Sequence, residues 1–464
     1  MTIHYQGHGV TLHHGDCLDV LRTLPDASVD SVVTDPPYGL EFMGKDWDAP
    51  WKSAANSWAD RDAEDHAQPE NRGQTASPFL AAKVNKFAAG APFQQWCELW
   101  AAECLRVLKP GGHLLAFGGT RTWHRLACAV EDAGFEVRDS IAWMHGQGFP
   151  KSLDVSKAID KAAGAEREVV GNTSEASGRT VGLGTSAGYH GDITSGHCRD
   201  ITAPATDAAR EWEGWGTALK PSHEPVVVAR KPLIGTVAAN VLAHGTGALN
   251  IDACRIGDGG GTTKGNPPKG ESNGIYGNGI NGACDIVDLG KGRWPANVVL
   301  DESQAEALDE QSGTLQSGAN PTRRGSDKFR EAYGDFKGQA ECDPARGADA
   351  GGASRFFYVA KADATERPRV NGTAHPTVKP LSLMRWLVRL VTPPGGVVVD
   401  PFAGSGTTVE ACILEGLHCL AIERESDYLP LIVSRIHRRR DPVEAIKITG
   451  DDMGLFAHLE GEGA

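Results

Sequence analysis

Asp35-Pro36-Pro37-Tyr38 brings together residue types with a definite chemical use. The carboxylate of Asp35 accepts hydrogen bonds. Two consecutive prolines fix φ and remove N–H donors, so the loop is stiff and its carbonyls, that of Pro36 first, point outward unpaired. Tyr38 adds a flat ring. Two acceptors and a stacking face suit a planar base carrying an exocyclic amine, gripped once the base has left its helix. Taken alone, the tetrapeptide reads just as well as a loop with a capping Asp and a packed Tyr, because short motifs match by chance.

A second stretch lies near the other end. Val397-Val398-Val399 runs into Asp400-Pro401-Phe402-Ala403-Gly404-Ser405-Gly406-Thr407-Thr408, and a helix is expected from Val409 to Glu415. Glycines there let backbone approach a ligand closely, and the helix start offers free N–H groups. One strand later, His418-Cys419-Leu420-Ala421-Ile422 ends in Glu423, at the spacing where an acidic side chain takes ribose hydroxyls. The glycine turn departs from the phosphate-binding spacing and no Gly-Lys-Ser/Thr follows it. The ligand implied is a nucleoside without a pyrophosphate rather than NAD or ATP.

In type and order, these stretches resemble the motifs of the amino-methylating DNA methyltransferases. The resemblance is to the permuted β-class, which places the catalytic Asp-Pro-Pro-Tyr motif before the S-adenosylmethionine motif. It covers roughly residues 10–150 and 350–440. Glycine-rich stretches between them, Gly245-Thr246-Gly247-Ala248-Leu249-Asn250-Ile251-Asp252 and Gly292-Arg293-Trp294-Pro295-Ala296-Asn297, look like those of phage and prophage members.

The resemblance implies roles. Asp35, Pro36, Pro37 and Tyr38 are the catalytic residues. Asp16, Cys17, Thr377, Lys379, Pro380, Asp400, Phe402, Gly404, Gly406, Thr407, Thr408 and Glu423 are carried over as residues of the S-adenosyl-L-methionine site. Asp16 also suits a helix N-cap, and Lys379-Pro380 a helix start with proline near its first position. Asp at the first motif position goes mostly with N6-adenine members and Ser with N4-cytosine, so the expected target is adenine. Methylation of a protein glutamine or an RNA base is the rival, although those enzymes resemble the unpermuted order and lack a large recognition insertion. This chemistry requires neither a cysteine nucleophile nor a metal.

The bounds agree with an enzyme of this size. A chain of 464 residues suggests two to three domains with an ample core. The net charge of −14 argues against a protein that coats nucleic acid, but not against one that grips a short site through a local basic surface. Ten cysteines without a CxxC pair read as reduced thiols of a cytoplasmic protein, with a zinc site the minor alternative. No apolar run reaches the length of about 18 residues that a membrane span needs, and Met1 to Gly9 lacks a signal peptide's apolar region.

The elements that must position these residues alternate strand and helix. Val10 to His14 and Val29 to Thr34 read as strands, with a helix from Leu18 to Leu24 between them; Phe93 to Leu108 is a helix, His113 to Phe117 a strand, Arg121 to Ala133 a helix and Glu136 to Trp143 a strand. That alternation implies an α/β fold, a doubly wound, mostly parallel Rossmann-like sheet. Residues 1–150 and 351–445 are expected as its two halves and 446–464 as a tail.

The intervening 151–350 is glycine-rich and expected as the target-recognition region. In it Glu224 to Ala229 is expected to return to the sheet as an antiparallel edge strand. Residues 52–90 read as either a mobile loop or a disordered insertion. Candidate DNA contacts are Lys45, Arg230, Lys231, Arg293, Arg323 and Arg324, with Lys291, Lys328 and Arg330 beside them; each is otherwise a solvated surface charge. Double-stranded DNA is the partner implied, and the resemblance admits a homodimer and a separate restriction endonuclease. Because reacting atoms must approach to about 3–3.5 Å, the strands before Asp35 and Asp400 should be neighbours in the sheet.

Overall fold

Branched apolar side chains pack well on a pleated surface, so the valine-rich runs of this chain become strands. The computed structural model describes residues 2–39, 90–146, 148, 152–172, 200–257, 262–264, 286–288, 291–317, 349–361, 366–370 and 372–438. Of the segment expected as a mobile loop or a disordered insertion, residues 52–89 lie outside them, as do Lys45, Arg323, Arg324 and the tail.

Ten strands share one sheet: β1 (Thr2–Gly7), β2 (Val10–His14), β3 (Val29–Thr34), β4 (Leu108–Phe117), β5 (Glu136–Met144), β6 (His223–Arg230), β7 (Val298–Asp301), β8 (Tyr358–Ala360), β9 (Val397–Asp400) and β10 (His418–Glu423). Their order across the sheet is β1-β2-β10-β9-β3-β4-β6-β5-β7-β8. From β2 to β4 every pairing is parallel. The sheet is therefore mostly parallel, as the sequence implies, and β3 and β9 are neighbours, with Val399 opposite Val32.

Helices cover both faces. Val32, Leu114, Ala116, Val397 and Val399 point into one core, with α1 (Cys17–Leu21), α2 (Gly90–Val107) and α3 (Trp123–Asp132) over it. Val33, Leu115 and Val398 point into the other, beneath α4 (Leu381–Val391), α5 (Thr407–Leu414) and α6 (Leu429–Arg438). Adjacent residues of one strand feed opposite cores because successive side chains alternate across a sheet. Trp96, Trp100 and Cys104 are buried on α2, as their helical spacing predicts. Truncating a fully buried residue such as Leu387 to Ala is expected to cost about 2–5 kcal/mol.

Two expectations need correction. The run Glu224 to Ala229 is antiparallel but interior, since β6 lies between β4 and β5 and pairs with both. Val226, Val227, Val228 and Ala229 are all buried because both faces of β6 are covered. Arg230 and Lys231, expected at DNA, are used by the fold. Strand pairing sets Arg230 opposite Glu136, and its Nη2 donates to Glu136 Oε2 at 2.6 Å, where a buried guanidinium needs a partner. Lys231 Nζ donates to the carbonyls of Leu108 and Arg106. Arg293 is half-buried, donating to the Arg355 carbonyl with its guanidinium over the Phe356 ring.

Candidate active site

The parallel strands β2, β10, β9 and β3 end on one edge of the sheet, where open α/β folds place their ligands. Asp16, Asp35, Asp400 and Glu423 stand at or just past those ends. β6 runs the other way, so its N-terminal end, carrying Glu224, reaches the same edge. All five carboxylates line one pocket with Cys17, Pro36, Pro37, Tyr38, Thr377, Lys379, Phe402, Gly404, Thr407 and Thr408. Fourteen of the sixteen catalytic and cofactor positions selected from the sequence thus meet in one place, joined by Glu224, whereas Pro380 and Gly406 do not line it. Pro380 caps α4, and Gly406, at φ +81, caps α5 against Ile432.

One half of the pocket is a cradle for a polyhydroxylated ligand. Glu423 Oε2 accepts from Gly404 N at 2.7 Å and Oε1 from Glu425 N at 2.8 Å. Burial pushes this carboxyl up to about 7 despite those two donors. Asp400 accepts from Thr34 Oγ1 at 2.7 Å and from Phe402 N at 3.2 Å, and burial raises it to about 6. Phe402 is held by Trp96 and Trp100, each 5.5 Å away between ring centroids. Asp16 caps α1 through Leu18 N at 2.9 Å while still lining the pocket, so both of its expected roles are compatible. Burial holds the Cys17 thiol well above its usual range, with the Asp16 charge adding to it, so Cys17 is not a thiolate nucleophile.

The other half is a cluster of four polar side chains. Lys379 Nζ lies 2.6 Å from Asp35 Oδ2, 3.0 Å from Tyr38 Oη and 3.1 Å from Glu224 Oε2. Tyr38 Oη lies 2.9 Å from Asp35 Oδ1 and 2.9 Å from Glu224 Oε2. Burial works against the Lys379 ammonium, but the two carboxylates hold it charged above its usual range. Burial raises Asp35, and Lys379 only partly offsets it. Burial acts on Glu224 in the same direction, yet Lys379 and the Tyr38 hydroxyl keep it below the ordinary value. Burial and the neighbouring carboxylates keep Tyr38 a neutral phenol.

The segment before α4 supplies the wall between the halves. His375 donates Nδ1–H to the Thr377 carbonyl and packs edge-on against Tyr428 at 4.5 Å. Burial lowers this imidazole to about 4, so it is neutral. Gly404 sits at φ +52, a left-handed backbone that favours glycine, and a Cβ there would come within 3.2 Å of His375 Nε2.

Glu224, His375, Tyr428 and Trp96 line the pocket without having been selected from the sequence as site residues. A lone carboxylate heading an apolar run was the available signal for Glu224. For Trp96, helical spacing marks a buried wall whether or not a ligand lies behind it.

The profile of the DNA methylase family of N6/N4 methyltransferases matches residues 29–236 and 299–434 of this chain. The type II methyltransferase M.HindIII of Haemophilus influenzae is 21% identical over 430 residues, which is 92% of this chain and 94% of that protein. M.HinfI of the same species is 25% identical over 133 residues, 29% of this chain and 31% of its own. Of solved structures, the PvuII DNA methyltransferase, described as cytosine-N4-specific, superposes with a TM-score of 0.38 at 11% identity, covering 99% of this chain and 96% of its own. The M1.HpyAVI–SAM complex does so with 0.34 at 14% identity, covering 92% and 99%.

Proposed function

The chain belongs to the DNA methylase family, and from that premise we propose that it methylates the exocyclic N6 amine of an adenine flipped out of duplex DNA. The methyl donor is S-adenosyl-L-methionine. One observation carries the reading: Asp35 and Tyr38 share a pocket with Asp400 and Glu423, because β3 and β9 lie side by side.

The residues present fit such a cofactor. Glu423 would accept from ribose hydroxyls, Phe402 and Asp16 would face the nucleoside base, and Gly404 would leave the turn open beside His375. Thr377 and Lys379 stand where the methionine part would run. When bound, the cofactor supplies a sulfonium methyl: the S–C bond breaks as the N–C bond forms, and its electron pair stays on sulfur.

An exocyclic amine is a poor nucleophile while its lone pair is delocalised into the base. The Asp35 carboxylate and the Pro36 carbonyl draw its hydrogens out of conjugation and aim the lone pair at the methyl. As positive charge reaches nitrogen, the same acceptors stabilise it more than they stabilise the ground state, and one amine proton then leaves to Asp35 or water. Tyr38, its hydroxyl pinned between two carboxylates, offers a fixed ring face for the base.

Two acceptors serve adenine and cytosine amines alike. Asp rather than Ser at position 35 supports adenine. The test is transfer of labelled methyl to mixed double-stranded DNA, followed by nucleoside analysis. Label in N6-methyladenine is expected; label in N4-methylcytosine would keep the mechanism and change the target. Cofactor binding without labelled DNA would move the acceptor to protein or RNA.

A further inference from the structure

The cluster around Lys379 bears on the reading above, on which this inference rests. Both carboxylate oxygens of Asp35 already hold donors: Lys379 lies 2.6 Å from Oδ2 and the Tyr38 hydroxyl 2.9 Å from Oδ1. A neutral amine competes poorly with an ammonium at that distance, since charge-assisted bonds are the stronger ones. For Asp35 to serve the target, both resident donors need somewhere else to go.

Glu224 is within reach of both. It lies 2.9 Å from Tyr38 Oη and 3.1 Å from Lys379 Nζ. A phenol has one hydroxyl hydrogen, and here it faces two carboxylates at equal distance. An ammonium has three hydrogens, and here it faces Asp35, Tyr38 and Glu224 together.

We propose that Glu224 is a positioning residue for methyl transfer, the second acceptor onto which Tyr38 and Lys379 turn when the target amine arrives, so that Asp35 is released to it. Charge agrees with geometry. Two carboxylates against one ammonium leave one negative charge in excess, available to the cation that grows on the amine. Without Glu224, Lys379 and Asp35 cancel and the amine meets a neutral pair. Lys379 Nζ is nearer Asp35 than Glu224, 2.6 Å against 3.1 Å, so a small rotation carries it from one carboxylate to the other.

The test is single-turnover methyl transfer at saturating labelled S-adenosylmethionine into unmodified mixed-sequence plasmid DNA, with cofactor affinity measured separately by equilibrium dialysis. E224Q is expected to transfer about 10²-fold more slowly with unchanged cofactor affinity, the size of effect seen when a preorganised electrostatic partner is removed. K379M added to E224Q removes the cation stranded on Asp35, and the double variant is expected to be about tenfold faster than E224Q, because neighbours that share one interaction do not act additively. E224D, which keeps the charge at shorter reach, should lie between wild type and E224Q.

Wild-type transfer by E224Q would overturn the proposal. So would a loss of cofactor affinity that accounts for the slower rate, or a double variant no faster than E224Q. Wild-type chain that binds cofactor and labels no DNA base overturns the proposed reaction itself, and this inference with it.

Discussion

Thr34 Oγ1 donates to Asp400 Oδ1 over 2.7 Å, tying the last residue of β3 to the last residue of β9. The two loops that follow, one with Asp35 and the other with Phe402 and Gly404, therefore start from a shared point. Thr34→Val keeps the shape and removes the donor. Because the bond is buried, its loss is expected to cost about 1–3 kcal/mol. It also moves the Asp400 carboxyl, already at about 6, further up. Urea denaturation and a cofactor titration on the same variant check this. A loss of stability with cofactor affinity unchanged would make the bond purely structural.

Asp35→Ala separates binding from chemistry. The carboxylate lies on the target side of the pocket, while Glu423 and Asp400 line the half that suits a nucleoside. The variant is expected to hold S-adenosylmethionine as tightly as wild type and to lose methyl transfer by about 10²–10³-fold or more, the range for removing an electrostatic stabiliser of the transition state. Retained turnover would end the catalytic role of Asp35.

Much of this site was legible because its chemistry constrains geometry. A methyl donor and acceptor must meet, so the strands before Asp35 and Asp400 had to be neighbours, and they are. Residues fixed by long-range pairing were not legible. A carboxylate heading an apolar run is all that marks Glu224 locally, and it reaches the site only because β6 enters the sheet reversed between β4 and β5. Arg230 and Lys231 look like an exposed basic pair until strand pairing sets Glu136 opposite Arg230. Trp96 shows a third limit, since its helical spacing reports burial but not what shares the other side of the ring.

The loop that carries Lys379 depends on an ion pair outside the pocket. Arg435 Nη1 donates to Glu410 Oε2 at 2.5 Å with both side chains at most 1% exposed, and Nη2 donates to the Glu366 carbonyl at 2.5 Å. Glu366 Oε2 in turn accepts from Leu381 N, the first residue of α4 after Lys379-Pro380. Removing one partner leaves a buried charge, so Arg435→Met is expected to cost about 3–5 kcal/mol. The midpoint and slope of a denaturant titration measure the cost. The double variant Arg435→Met with Glu410→Leu should recover much of it, and failure to recover would place the loss in packing rather than charge.

The pH dependence of cofactor binding should oppose that of stability. Glu423 sits at about 7 in the folded chain against an ordinary value of 4.5. Between those values the folded chain holds a proton that the unfolded chain has released. The stability of the cofactor-free protein therefore rises as pH falls through that window, by at most about 1.4 kcal/mol per pH unit for the group. Asp400 acts in the same sense between 3.8 and about 6. Ribose hydroxyls, in contrast, are donors to the charged carboxylate, so cofactor affinity should fall about tenfold per unit as pH drops below 7. His113 and His375, both lowered to about 4 by burial, pull stability the other way below 6.5. The comparison is therefore with Glu423→Gln, which shares those histidines. Subtracting its thermal-stability and cofactor-titration curves from those of wild type isolates Glu423, and the two differences should slope in opposite directions across pH 5–7. Parallel slopes would mean that the cofactor binds the protonated acid, and that Glu423 meets it as a donor rather than an acceptor.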